Sequence, residues 1–251
     1  MPVRWIIADV DGCLSPEDSV AWDLPPFLRL VETVRRANAG ESDIAPLTLC
    51  TGRPQPYVEV LMKLFDVRAP AIVENGAVFY TLPDNTSRYG PGVTEDKLLG
   101  LRAVRAYIET DLLARFPEAV LQFGKEAQLS LFSRRTEQFA EMQRRIEAFV
   151  AERGGPDLLI NASHFYLNIS LRGVNKGNAL RALMGELGVG HDDLAGIGDT
   201  VGDLPLREVV AFFACPANSQ DEIKRVADYV SPFPFAEGVL DILRRPELRR
   251  R

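Results

Sequence analysis

Residues 3–12, Val3-Arg4-Trp5-Ile6-Ile7-Ala8-Asp9-Val10-Asp11-Gly12, pass from an apolar run directly into two carboxylates and a glycine. The run is short and rich in branched and aromatic residues, and it reads as a buried β-strand ending at Ala8. In an extended chain residues two apart point the same way, so Asp9 and Asp11 share one side. At the end of a strand in an open α/β sheet, that side faces the crevice where such sheets bind ligands. One acid there is commonly a cap or turn former. Two side by side repel by about 4 kcal/mol at ~4 Å and an effective dielectric near 20, unless a cation or proton intervenes.

Downstream, strand and helix patterns alternate. Leu24–Ala39 carries apolar residues at helical spacing behind Pro25-Pro26, and 46–50 is a second strand. Pro54 then opens a helix through Phe65, in the first-turn position that proline tolerates. Ala71–Val73 and 77–80 follow as strands around the Asn75-Gly76 turn. This β-α-β-α-β order implies a parallel sheet with right-handed crossovers. Residues 82–92 (LPDNTSRYGPG) are rich in turn formers and read as a linker. Beyond them the spacing predicts a helix (94–116), two strands (119–124 and 128–133), a helix (136–153) and two strands (157–161 and 165–171). Residues 172–175 form a second linker. The α/β alternation then resumes with a helix from Lys176 to Leu187 and a strand at Leu194–Ile197. A helix (203–210), a strand (211–214) and helices at 219–226 and from about 237 follow. The expected fold is an α/β, Rossmann-like parallel-sheet core, residues 1–81 and 172–251. It is interrupted by an inserted α+β unit of αββαββ order, residues 82–171.

Hydrophobic residues are 46% of the 251 and charged residues 25%, a composition for a globular protein with a full core. The net charge of −6 repels nucleic-acid backbones and anionic lipid, so neither is an expected partner. The one basic cluster, Arg244, Arg245, Arg249, Arg250 and Arg251, reads as a solvated C-terminal helix end. The apolar start is broken by Arg4 and stops at Asp9, too short for a signal peptide. Nothing approaches the ~20 apolar residues of a membrane span. Cys13, Cys50 and Cys215 form no C-x-x-C pair and read as reduced thiols of a cytoplasmic protein. His164 and His191 alone give little support to a His-based zinc site or a Ser-His-Asp triad. No motif specifies an oligomeric state.

Three further segments sit at junctions into helices on the same side of the inferred sheet. Gly198-Asp199-Thr200-Val201-Gly202-Asp203 follows the Leu194–Ile197 strand. Its glycines do not fit G-x-G-x-x-G, and it offers acids where a pyrophosphate needs bare amides, so metal binding is the better reading. Thr51-Gly52-Arg53 follows the second strand, where a hydroxyl and free amides can hold phosphate oxygens. Lys176 opens a helix, where its charge opposes the helix dipole; alone it reads as a solvated side chain.

Taken in order, Asp9-Val10-Asp11-Gly12, Thr51-Gly52-Arg53, Lys176-Gly177 and Gly198-Asp199…Asp203 resemble the haloacid dehalogenase superfamily of phosphatases across nearly the whole chain. Glu74-Asn75-Gly76-Ala77 and the αββαββ insert are similar to its branch with a second-type (C2B) cap. That branch includes Cof-like, sucrose-phosphate and archaeal phosphoglycolate phosphatases, mannosyl-3-phosphoglycerate phosphatase and phosphomannomutase. Two departures are Cys13, where threonine is common, and Thr200-Val201-Gly202 before the last Asp. The resemblance implies that Asp9 is a nucleophile forming an aspartyl phosphate and that Asp11 is the general acid and base. It further implies Mg²⁺ held by Asp9, the Asp11 carbonyl and Asp199, with Asp203 ligating or orienting waters. Thr51, Gly52 and Lys176 then bind the transferring phosphoryl group.

Three rivals share this machinery: a sugar phosphomutase, a non-enzymatic phospho-switch, and a sugar-phosphate binder without turnover. The insert and the full acid/base pair argue against the switch, and intact Asp9 and Asp11 against the binder; a dependence on added sugar bisphosphate would reveal the mutase. In the last strand of the insert Phe165, Leu167, Ile169 and Leu171 make one face, and Tyr166, Asn168 and Ser170 the other. Likewise Leu129 and Leu131 oppose Gln128 and Ser130, and Leu121 and Phe123 oppose Gln122, so one face of the insert's sheet is apolar and the other carries neutral hydrogen-bonding groups. That polar face suits a small phosphorylated metabolite, a sugar phosphate or a phosphorylated hydroxy acid.

Overall fold

The computed structural model describes residues 2–16, 21–163 and 165–250, so His164 and Arg251 lie outside the described residues. The chain divides into two compact units, Met1–Arg88 with Asn175–Arg251, and Tyr89–Val174.

In the first unit β1 (Trp5–Ala8), β2 (Leu47–Leu49), β3 (Ala71–Val73), β4 (Val78–Thr81) and β5 (Thr86–Tyr89) come first along the chain. The second unit contributes β6 (Val120–Leu121), β7 (Gln128–Phe132), β8 (Leu158–Ser163) and β9 (Tyr166–Leu171). The chain then returns through β10 (Leu194–Ile197), β11 (Phe212–Cys215) and β12 (Tyr229–Val230). The core sheet has the order β12-β11-β10-β1-β2, all parallel, and a Cys50–Ile72 bridge carries it on to β3. Its strands are almost wholly buried because helices cover both faces of a parallel sheet. Ile7, Ile72, Leu180, Leu183, Val210 and Phe213 form one continuous cluster there.

Several expectations are corrected. The stretch 82–92 is not a plain linker. It turns at Asn85, whose N–H donates to the Leu82 carbonyl at 3.1 Å, and then forms β5 beside β4. The sheet β3-β4-β5 departs from the parallel pattern, since β3 and β4 pair antiparallel. The tail is no solvated helix end. Arg249 and Arg250 bridge to Ile44 and Val3, Arg249 pairs with Asp43 at 2.6 Å, and Leu248 is fully buried.

In the second unit the sheet order is β6-β7-β9-β8 with antiparallel pairing. Leu129, Leu131, Leu167 and Ile169 pack on the helices Glu95–Tyr107 and Phe139–Arg153 through Leu101, Met142 and Ile146. Phe123, expected on that apolar face, is 88% exposed, because β6 ends at Leu121. Among the described residues no helix is long and apolar enough to cross a membrane.

Candidate active site

Parallel register brings the motif residues together. Ala8 lies opposite both Leu49 and Ile197, so β1, β2 and β10 end level. The Asp9 N–H donates to the Ile197 carbonyl at 2.9 Å, and the Cys50 N–H to the Ala8 carbonyl at 2.8 Å. Asp9, Thr51 and Asp199 therefore leave the sheet at one edge, beside the point where the strand order reverses.

Lys176 is the first residue of the helix Lys176–Leu187, which Asn175 caps by accepting the Asn178 N–H at 2.9 Å. Its ammonium is not solvated. It is 3% exposed and bridges Asp9 Oδ2 at 2.8 Å and Asp203 Oδ1 at 2.6 Å. The other oxygen of Asp203 accepts the N–H groups of Asp199 and Thr200 at 3.0 and 3.1 Å, so this fully buried acid also shapes the loop.

Asp9, Asp199 and Asp203 offer oxygens within 4.8 Å of one another. Gly12, at φ 79°, is what allows the fit: a Cβ there would lie 1.9 Å from Asp199 Oδ2. Burial pushes the Asp9 pKa up to about 7; Lys176 pulls against this, while Asp203 and Asp11 add to it. For Lys176 burial disfavours the charge, yet Asp203 and Asp9 outweigh it and the pKa rises well above the usual value. Burial first, and then the charges of Asp203 and Asp11, thus favour a proton retained on Asp9. Hard oxygen donors in that state suit a hard divalent cation. Cys13 lies 3.9 Å from Asp199 Oδ1, and burial with Asp199 raises its pKa, so it is a poor nucleophile.

Asp11 stands apart from the three-acid cluster. Both its oxygens accept from Arg53, Oδ2 from Nε at 2.7 Å and Oδ1 from Nη2 at 2.5 Å. Arg53 also lies over the Tyr57 ring, 4.9 Å from its centroid. Thr51 is fully buried, and its Oγ1 accepts the Arg53 N–H at 3.2 Å, which leaves the hydroxyl proton to donate. Sequence reasoning assigned Arg53 no part, because nothing local announces a bidentate pair 42 positions apart.

In the second unit Tyr166, Asn168 and Ser170 alternate with buried apolar neighbours, opposite Phe132, Ser130 and Gln128. The polar face is no plain solvated surface, since Gln128 and Ser130 are 1% and 0% exposed. Gln128 Nε2 donates to Ser170 Oγ at 3.0 Å, and Ser130 Oγ to Asn168 Oδ1 at 2.7 Å. Lys125 was missed: its Nζ donates to Ser130 Oγ at 2.7 Å and Gln128 Oε1 at 3.3 Å, placing a buried cation on this face. Its position between two strands hides it from an alternation reading.

A phosphoglycolate phosphatase of Thermoplasma volcanium is 23% identical over 243 residues, 96% of each chain. The crystal structure of Thermoplasma acidophilum 0175 superposes with a TM-score of 0.73 at 21% identity, covering 96% of this chain and 97% of that one. A subclass IIB sugar phosphatase, BT4131, gives a TM-score of 0.68 at 13% identity over 96% and 98% of the two chains, a likeness of fold. The sequence profile of haloacid dehalogenase-like hydrolases matches residues 118–243, half of the chain. With the parallel core and inserted unit already described, this chain belongs to the haloacid dehalogenase-like hydrolases.

Proposed function

We propose that this hydrolase is a Mg²⁺-dependent phosphatase of a small phosphorylated hydroxy acid, with phosphoglycolate as the substrate that best fits. The observation that carries the reading is the buried cluster of Asp9, Asp199 and Asp203 around Lys176, beside an acid, Asp11, that stays outside it. Asp9 attacks phosphorus, the bond to the ester oxygen breaks, and an aspartyl phosphate forms. Asp11 gives its proton to the departing oxygen, then takes one from the water that hydrolyses the intermediate. Lys176 lowers the repulsion between the Asp9 anion and the incoming phosphate, and Thr51 and Gly52 donate to its oxygens. Asp9, Asp199, Asp203 and the Asp11 carbonyl would hold Mg²⁺, which when bound neutralises charge on the transferring group.

In the second unit Tyr166, Asn168 and Ser170 are the residues proposed to offer neutral hydrogen-bonding groups to a small substrate. Lys125 on the same face supports a carboxylate-bearing substrate over a neutral sugar, and the archaeal relative's name points the same way. The test is a panel of phosphoglycolate, hexose phosphates and p-nitrophenyl phosphate, with Mg²⁺ or excess chelator, on wild type and Asp9→Asn. The expected result is metal-dependent release of phosphate, fastest from phosphoglycolate, and a loss of at least ~10³ in Asp9→Asn. Turnover that survives chelator or Asp9→Asn would reject the mechanism.

A further inference from the structure

The turn after β3 holds three successive residues in the left-handed region, Glu74 at φ 49°, Asn75 at 56° and Gly76 at 102°. Two of them are not glycine, and such strain persists only where the surroundings over-determine it. Here the surroundings are the candidate phosphate loop. The Glu74 N–H donates to the Arg53 carbonyl at 3.1 Å, and the Asn75 N–H to the Thr51 carbonyl at 2.9 Å. The turn also abuts the cap of the Lys176 helix: a Cβ on Gly76 would lie 2.4 Å from the Asn175 carbonyl oxygen.

So fixed, the Asn75 carboxamide lies against the bare Cα of Gly52. A Cβ on Gly52 would stand 2.9 Å from Asn75 Nδ2 and 3.2 Å from its Oδ1. Gly52 is thus required for the side chain above it. Asn75 is half-buried, yet among the described residues its carboxamide hydrogen-bonds to nothing. Neither its Oδ1 nor its Nδ2 is shut off from solvent, so two donors and an acceptor stand open to a ligand beside Gly52.

We propose that Asn75 is a substrate-binding residue whose Nδ2 donates to a non-bridging phosphoryl oxygen beside Gly52, and that the left-handed turn exists to aim it. The inference rests on the phosphoryl-transfer reading of the site. Asn75→Gly keeps the positive φ without steric conflict and removes only the carboxamide. Asn75→Asp keeps the shape and replaces the donor with a negative charge.

The probe is orthophosphate, titrated calorimetrically into the Mg²⁺-supplemented protein, and also used as an inhibitor of p-nitrophenyl phosphate turnover. Asn75→Gly should weaken orthophosphate about 10-fold, a single hydrogen bond to an anion, and Asn75→Asp roughly 100-fold. KM should rise in parallel while kcat falls less, with the Asn75→Gly melting temperature little changed. Orthophosphate affinity within about twofold of wild type in Asn75→Gly, or equal losses in the two variants, would overturn the assignment. Wild type that turns over esters while both variants behave like it refutes only the role of Asn75. Wild type that binds orthophosphate through Asn75 but hydrolyses nothing refutes only the phosphatase reading.

Discussion

Replacing Lys176 with methionine keeps the volume of the buried stem and removes its charge. In the native site Nζ stands 2.8 Å from Asp9 and 2.6 Å from Asp203, with 3% of the side chain exposed. Each contact is worth ~6 kcal/mol gross at an effective dielectric near 20, most of it offset by desolvation. Losing one partner of a buried ion pair leaves uncompensated charge and costs about 3–5 kcal/mol net. The penalty must depend on pH. The Asp9 pKa is about 7 even with Lys176 present, so without the ammonium the cluster takes up protons still more readily. At pH 5 protonation replaces the lost cation in part, whereas at pH 8 it does not. For a chain of this size 1 kcal/mol corresponds to about 2–4 °C, so Lys176→Met should melt roughly 10 °C lower at pH 8 and less than ~5 °C lower at pH 5. Scanning calorimetry in chelator reads both values. An equal loss at the two pH values, or none at pH 8, would refute the claim that the cluster is held by this one ammonium.

Because Asp9 is raised from 3.8 to about 7, metal-free protein binds more proton than its unfolded chain over that window, and stability falls as pH rises through it. Mg²⁺ must displace that proton, so calorimetry in buffers of different ionisation enthalpy should show release of about one proton at pH 6 and almost none at pH 9. No pH-dependent release would mean the metal binds elsewhere. Arg53→Gln should lower kcat about 10-fold or more with a smaller change in KM, since it frees both Asp11 oxygens from a fixed bidentate grip. A pure rise in KM would instead make Arg53 a substrate anchor.

The parts of this molecule that were legible in the sequence are those whose signal is local and whose placement is dictated by topology. Asp9, Thr51, Lys176 and Asp199 each stand within a few residues of a strand end or helix start. Parallel register brings such positions to one edge whatever the details of packing. The strong core strands were legible for the same reason, as uninterrupted apolar runs. What escaped was either weakly patterned or purely tertiary. The strand β5 reads Thr86-Ser87-Arg88-Tyr89 and is exposed throughout, so no apolar periodicity marks it. Phe123 was read as core by extending an alternation past the residue where pairing stops. Arg53 and Lys125 find their roles only through partners that folding supplies.

The same contrast explains how the site keeps its two kinds of acid distinct. Asp9 and Asp11 are two residues apart and leave the same strand, yet they meet opposite environments. Asp9 is drawn into a buried cluster where like charges and burial raise its pKa to about 7. Asp11 projects to a half-exposed guanidinium that engages both its oxygens. The proposed nucleophile must be an anion beside a cation, and Lys176 provides that cation at 2.8 Å. On the proposed mechanism Asp11 must reach the ester oxygen and exchange protons, and the bidentate contact from Arg53 fixes the direction in which its carboxyl points. The strained turn at Glu74-Asn75-Gly76 ties the carbonyls of Thr51 and Arg53 in place, so the loop proposed to bind phosphate and the residue that holds Asp11 are braced by the same three residues.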